Sequence, residues 1–360
     1  MFFPNAEVTI PLAKLVLLGL VVGTLGGFFG VGGGFLITGG LLVFGVDPLF
    51  AVGTGLTLIM GSSIINTLKH RRLGHVDYKL GLLMACGAIP AVLLAERLNS
   101  GLDAIGIAGP VIRYVYVFFL TSLGTFIIYD YVKSRRRAEQ SGDADAASDA
   151  VTTAGLTRKV RSLRLPPHSI KIPGLGSCPT YVSLPVSGIE RISVYIPITV
   201  GFGVGFLAGL LGAGGGFILM PLLVFVLGVP TTVAIGTDLF QIIITGSVGT
   251  FIYALGNHVD PLMAIIMLVA ASAGSQLGAT ATRYVDAGRI RVLFGITVLS
   301  GSVAVALKQA SESSAGLEFL GDVATWVLLG VATVICGVIA VLLIRAKREG
   351  TPPKQIGGAP

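Results

Sequence analysis

Phe29-Gly30-Val31-Gly32-Gly33-Gly34-Phe35 and Leu211-Gly212-Ala213-Gly214-Gly215-Gly216-Phe217 are two copies of one element, 182 positions apart. Each copy sits near the middle of an apolar stretch, about residues 11–45 and 192–228, that is too long for one ordinary span. Glycine costs a helix interior about 1 kcal/mol per residue. Each stretch therefore reads as a helix, a break at membrane depth and a second, shorter helix.

Two more anchors repeat in the same order. Ala51-Val52-Gly53-Thr54 matches Ala234-Ile235-Gly236-Thr237, and His75-Val76-Asp77 matches His258-Val259-Asp260, both 183 positions apart. Internal repeats are a hallmark of secondary transporter folds. Further apolar runs long enough to span lie at roughly 48–68, 78–98, 111–132, 232–255, 261–281, 288–307 and 323–345.

Composition agrees. Of 360 residues, 53% are hydrophobic and 12% charged, against about 25% charged in a soluble domain; mean hydropathy is +0.87. The net charge of +7 sits in short clusters between apolar runs, a pattern that orients membrane proteins and argues against nucleic acid as partner. The fold expected is all-α and polytopic: two inverted repeats, each a glycine-broken hairpin followed by transmembrane helices. Its parts are a first repeat over 1–132, a polar cytoplasmic linker over 133–191, a second repeat over 192–310, a final helix with its outer loop over 311–346, and a cytoplasmic tail over 347–360. No basic region precedes the first apolar run and no small-residue cleavage site follows it, so no cleavable signal peptide is expected.

Charge placement decides the topology. If each broken stretch starts and ends on one side and the chain begins outside, the Lys69-His70-Arg71-Arg72 loop, the Arg135-Arg136-Arg137 linker, the Arg283/Arg289/Arg291 loop and the Arg345/Lys347/Arg348 tail all fall inside, in the cytoplasm. The positive-inside rule is then satisfied at every major cluster. Arg97 and Arg113 are left at the outer face, a minor cost because long side chains snorkel.

A helix restarting after a break presents free N–H groups and the positive end of its dipole, which suits an anion. On this reasoning Gly32, Gly33, Gly34, Gly214, Gly215 and Gly216 line an anion site, with Thr54, Thr57, Thr237 and Gln241 as its polar wall. The competing reading is that the glycines only permit close helix packing. Asp238 stands out as the acidic residue well inside a span, opposite Gly55 in the first half. An intramembrane carboxylate marks function by default; ionised it repels an anion, protonated it admits one, so Asp238 is the proton-coupling candidate. Ser62, Ser63, Asn66 and Ser247 are weaker candidates, since membrane serines commonly bond their own backbone. His75 and His258 read either as pH sensors or, with Asp77 and Asp260, as helix-start signatures.

Cys86, Cys178 and Cys336 are too few and scattered for a disulfide framework or zinc site. No nucleophile–base set, metal cluster or nucleotide loop stands out, so neither catalysis nor a cofactor is expected. The expected partners are a small anion and the lipid bilayer, with a homo-oligomer left open.

The doubled Gly-x-Gly-Gly-Gly, Pro221-Leu222-Leu223, Ile235-Gly236-Thr237 and Gly274-Ser275-Gln276-Leu277-Gly278-Ala279 together resemble the TauE/SafE family of sulfite exporter-like membrane proteins, over about 11–98 and 192–307. The resemblance implies ion-gradient-driven movement of a small sulfur-containing anion across the cytoplasmic membrane, with the glycine elements and following threonines lining the path. Gly39 departs from it, standing where the second copy has Pro221, and the central linker is long. The expected activity is thus a gradient-driven anion carrier with alternating access, one half rocking on the other. The alternatives are a carrier or channel for a cation or neutral solute using Asp238, and a membrane-embedded assembly or sensor subunit worked by the linker.

Overall fold

The structure is a computed structural model that describes residues 1–29, 33–72, 74–141, 169–172, 176–281, 284, 287–313, 317 and 319–348. Gly32 and much of the 133–191 linker lie outside the described residues. Eleven helices are seen among those described: α1 Leu12–Phe29, α2 Gly34–Val43, α3 Pro48–Arg72, α4 Tyr78–Ala104, α5 Ala108–Ser141, α6 Tyr195–Leu211, α7 Gly216–Phe225, α8 Thr231–Leu255, α9 Pro261–Ala281, α10 Ala287–Ser313 and α11 Phe319–Arg348. Eight of them are long and apolar enough to cross a membrane. The chain is an all-α, multi-pass membrane protein.

Both overlong stretches break where the glycines stand. α1 ends at Phe29 and α2 restarts at Gly34; α6 ends at Leu211 and α7 restarts at Gly216. α2 folds back along α1, with Gly40 against Leu18. Lys14, near the start of α1, lies 5.9 Å from the Phe44 ring just past the end of α2, so this hairpin enters and leaves at the same end.

Corresponding helices exchange partners between the halves. α1 packs on α9, and α6 on α4, more extensively than on any helix of their own half. Small residues permit this: Gly19, Gly23 and Gly27 of α1 face Met267, Ala271 and Ser275 of α9, while Gly201, Gly205 and Gly209 of α6 face Met84, Ala88 and Val92 of α4. Both pairs run parallel. α3 and α8 cross the centre antiparallel, with Gly53, Leu56 and Met60 opposite Tyr253, Gly249 and Gly246. α5 and α10 are also antiparallel: Thr121 lies 2.7 Å from Ser302, and at one end buried Arg113 bonds Gln309 at 3.2 Å and pairs with Glu312. The snorkelling expected of Arg113 is replaced by that ion pair, because α10 brings a carboxylate within reach.

These directions sort the ends of the bundle. The ends of α3, α5 and α11, which carry Lys/Arg clusters, and the end of α9 share one end with the starts of α4, α6 and α8. Asp47, Asp103 and Glu312 sit at the other. Arg283 lies outside the described residues.

Two antiparallel hairpins precede the two broken stretches. β1 (Phe2–Phe3) pairs with β2 (Val8–Thr9), and β5 (Tyr181–Leu184) with β6 (Ile189–Ser193). Each bends on a residue with positive φ, Glu7 at 49° and Gly188 at 64°, and each has a proline three positions earlier, Pro4 and Pro185. The repeat therefore begins upstream of the membrane segments. Leu184, Ile189 and Ile192 are buried, so the last part of the 133–191 stretch belongs to the folded body. A third ladder joins β3 (Ser169–Ile172) to β4 (Gly176–Pro179).

Candidate functional site

The two breaks meet. Phe35 and Phe217, each the residue after a glycine run, lie with ring centroids 5.6 Å apart and planes tilted by 45°. Gly34 lies so close to the Ala213 carbonyl that a side chain there would overlap it. Gly33 and Gly215 cap α2 and α7 in the left-handed conformation, at φ 71° and 78°, which L-residues enter at a cost of roughly 1–2 kcal/mol. A Cβ on Gly33 would come 2.7 Å from Val22 Cγ1, and one on Gly215 would come 2.6 Å from Val204 Cγ1. Glycine is required twice over at each cap, by dihedral angle and by room.

The first turns of α2 and α7 thus point their N–H groups into the zone where the halves touch. By helix geometry the amides of Gly34, Phe35, Gly216 and Phe217 have no intrahelical acceptor. Leu36 N bonds back to Gly33 O at 3.1 Å, and Ile218 N to Gly215 O at 3.0 Å. Ile59 of α3 is wedged between Gly34 and Gly214, and Ile242, its counterpart in α8, borders Gly214.

One turn before Ile242 stands Asp238. It is fully buried, and neither carboxylate oxygen has a hydrogen-bond partner. Gln241, on the same side of α8, is equally buried and equally without partners on both amide atoms. Unsatisfied polar groups on this scale are rare inside proteins and demand explanation. The counterpart of Asp238 is Gly55, where a Cβ would lie 2.6 Å from Thr38 Oγ1. Thr38 donates to the Gly212 carbonyl at 3.0 Å, closing that side with a neutral bond.

The threonines serve another purpose. Thr54 Oγ1 accepts from the Asp260 N–H at 3.0 Å, and Thr237 Oγ1 accepts from the Asp77 N–H at 3.0 Å. Beside them, Gly53 and Gly236 leave room for the carbonyls of His258 and His75. Asp77 and Asp260 cap α4 and α9, accepting from Leu80 N at 3.0 Å and Met263 N at 2.9 Å. The two repeated motifs are thus reciprocal halves of one joint, Gly-Thr of each half holding His-Val-Asp of the other. Ser187 of the β5–β6 turn adds a 2.7 Å bond to Asp77 Oδ2. The helix-start reading of the histidine motifs holds. Thr57 donates to its own backbone at Gly53 O, 2.9 Å away; Ser62 and Ser247 do the same to Ile59 O and Ile243 O.

Loss of the joint hydroxyl leaves a buried N–H unsatisfied, a cost of about 1–3 kcal/mol. Thr54→Val and Thr237→Val are each expected to lower the melting temperature measurably while leaving the substrate concentration for half-maximal transport unchanged. A shift in that concentration with no loss of stability would return both threonines to the binding wall.

Sequence reasoning missed the brace at the second break. Asn99 Nδ2 donates to Leu210 O at 3.2 Å and Tyr253 Oη at 2.7 Å, and Tyr253 Oη donates to Gly209 O at 2.9 Å. These bonds satisfy carbonyls of the last turn of α6, as unwound backbone at membrane depth requires. No motif marks Asn99 or Tyr253. Tyr116 also explains the Gly39 departure: a Cβ there would lie 3.0 Å from its hydroxyl.

Among the described residues no group of His, Cys, Asp or Glu could hold a metal ion. A family model described as "Sulfite exporter TauE/SafE" matches residues 15–307. "Probable membrane transporter protein YunE" of Bacillus subtilis is 25% identical over 79% of this chain and 93% of its own length. "Probable membrane transporter protein MJ0441" of Methanocaldococcus jannaschii is 24% identical over 80% and 92%. "Sulfite exporter TauE/SafE family protein 3" of Arabidopsis thaliana is 24% identical over 79% and 76%. No solved structure matches. With the matched region taking in both broken hairpins and the joint between them, the chain belongs to the sulfite exporter TauE/SafE family of membrane transporters.

Proposed function

We propose that the protein is a secondary transporter of a small anion, a sulfur oxyanion or organosulfonate of the sulfite kind, across the cytoplasmic membrane. The observation that carries this reading is the meeting of the two breaks, Gly34 against Ala213 and Phe35 near Phe217, which brings the amide ends of the glycine-capped α2 and α7 to one zone deep in the bundle. The two halves are inverted copies, a view supported by antiparallel α3 and α8. The end bearing the Lys/Arg clusters faces the cytoplasm, together with the linker and the C-terminus.

Alternating access follows from this packing in a modified form. Rocking of one sequential half on the other would tear α1 from α9 and α6 from α4, the most extensive helix contacts among the described residues. The moving bodies are instead the exchanged pairs, α1–α9 and α4–α6, turning about the α3–α8 cross. Asp238 serves as the proton carrier beside the anion: charged, it opposes the substrate; neutral, it admits it. A carrier of a cation or neutral solute is the second reading, favoured by the same unpartnered carboxylate.

Uptake into proteoliposomes separates the two. Labelled sulfite is expected to accumulate and to be displaced by other small sulfur oxyanions, with little movement of sodium or potassium in its absence. Cation flux without sulfite flux would sink the anion reading.

A further inference from the structure

A small cleft opens beside the last turn of α1, between α1, α3 and α9. Val22, Leu58 and Ile65 form part of its wall, and Ser62, Asn66, Ser272 and Ser275 bring polar side chains to it. Its chemistry is the opposite of that at the caps. Gly26 and Gly27 belong to the last turn of α1, the end that carries the negative pole of the helix dipole. The three serines each donate their hydroxyl hydrogen to a main-chain carbonyl: Ser62 to Ile59 O at 3.1 Å, Ser272 to Leu268 O at 2.7 Å, Ser275 to Ser272 O at 3.0 Å. With the hydrogens so engaged, oxygen lone pairs are what the hydroxyls have left to offer.

The mirror position shows that such a cleft is no consequence of the fold itself. By the repeat, Ser62, Asn66, Ser272 and Ser275 correspond to Thr245, Gly249, Ile89 and Val92. Gly27 corresponds to Gly209, whose carbonyl the Tyr253 hydroxyl occupies at 2.9 Å. At the second break Asn99 and Tyr253 hold the helix-end carbonyls, while beside the last turn of α1 four neutral polar side chains line the cleft.

We propose that the α1–α3–α9 cleft binds a monovalent alkali cation, sodium being the ion to test, as a coupling ion for transport. Neutral oxygens at the carboxyl end of a broken helix are how membrane carriers hold sodium, while amino ends hold the anion. The lack of a carboxylate in the lining disfavours calcium and magnesium, which require one or more. Bound sodium would place a positive charge behind the first cap, where Val22 touches Gly33, and so favour an anion at the caps. Binding is a property of the cleft alone; the coupling role rests on the proposed anion transport.

The experiment has two arms. In the first, purified protein is melted in sodium chloride and in choline chloride at equal ionic strength. The melting temperature is expected to rise with sodium and to saturate. Asn66→Leu and Ser275→Ala should shift half-saturation about tenfold or more, the scale of removing a group that supports a bound ion. Thr245→Ala, the mirror of Ser62, should leave it unchanged. In the second arm, a sodium gradient at equal pH on both sides should stimulate sulfite uptake in the parent protein and fail to do so in Asn66→Leu. Melting curves identical in sodium and choline, or a sodium response equal in all four proteins, would overturn the site. A sodium-dependent melt without any sulfite transport would keep the site and refute the anion reading instead.

Discussion

Gly215→Leu is expected to abolish sulfite uptake, a fall of about a hundredfold or more, the scale of a 1 Å misplacement in a positioned site. The residue holds φ 78° and caps α7. A side chain there meets Val204 Cγ1 at 2.6 Å and the Val204 carbonyl at 3.4 Å, so α7 must move away from α6 and carry its free amides with it. Gly33→Leu is expected to act alike through Val22. Gly203→Ala in α6 is the matched control, since nothing lies within 4 Å of a Cβ there. It should transport normally, with helix propensity improved by up to about 1 kcal/mol. Uptake should be measured on protein that elutes as a single species in detergent. Normal flux through an intact Gly215→Leu or Gly33→Leu protein would remove the caps from the binding site.

Asp238→Asn is the second large effect. The substitution keeps the shape and removes the titratable proton from a fully buried side chain with no hydrogen-bond partner. Accumulation of anion driven by a pH gradient is expected to fall about a hundredfold or more, the lower range attributed to a positioned proton-transfer group. Exchange of labelled for unlabelled anion at equal concentrations should persist. Asp238→Leu, with Gln241 still unpartnered beside it, should lose both. An unchanged response to the pH gradient in Asp238→Asn would assign proton coupling to another group.

Much of this was legible in the residues. Apolar runs interrupted by triple glycines can satisfy their backbone in lipid only by breaking where protein closes around them. The number of long spans, the places of the two breaks and the helix-start role of Asp77 and Asp260 all follow from local chemistry. Charge clusters sorted the bundle ends because their spacing along the chain matches alternate crossings.

Other features arise from partners hundreds of positions away, and no local pattern encodes them. Thr54 and Thr237 follow the breaks in sequence, which points them to the pocket wall. The antiparallel crossing of α3 and α8 turns each toward the opposite half, where it holds a capping aspartate. The Glu7 and Gly188 turns escaped notice because their common feature is a dihedral angle, shared by two dissimilar side chains.

By itself, then, the sequence determined a multi-pass helical protein of two related halves with paired interruptions in the membrane, since burying backbone in lipid leaves few other solutions. Only the tertiary structure decided that the halves interlock by exchanging helices, that Asn99 and Tyr253 brace the second break, and that a small cleft opens beside the last turn of α1. Those outcomes depend on which surfaces of α1, α4, α6 and α9 fit at glycine-close range, a matter of shape between distant segments.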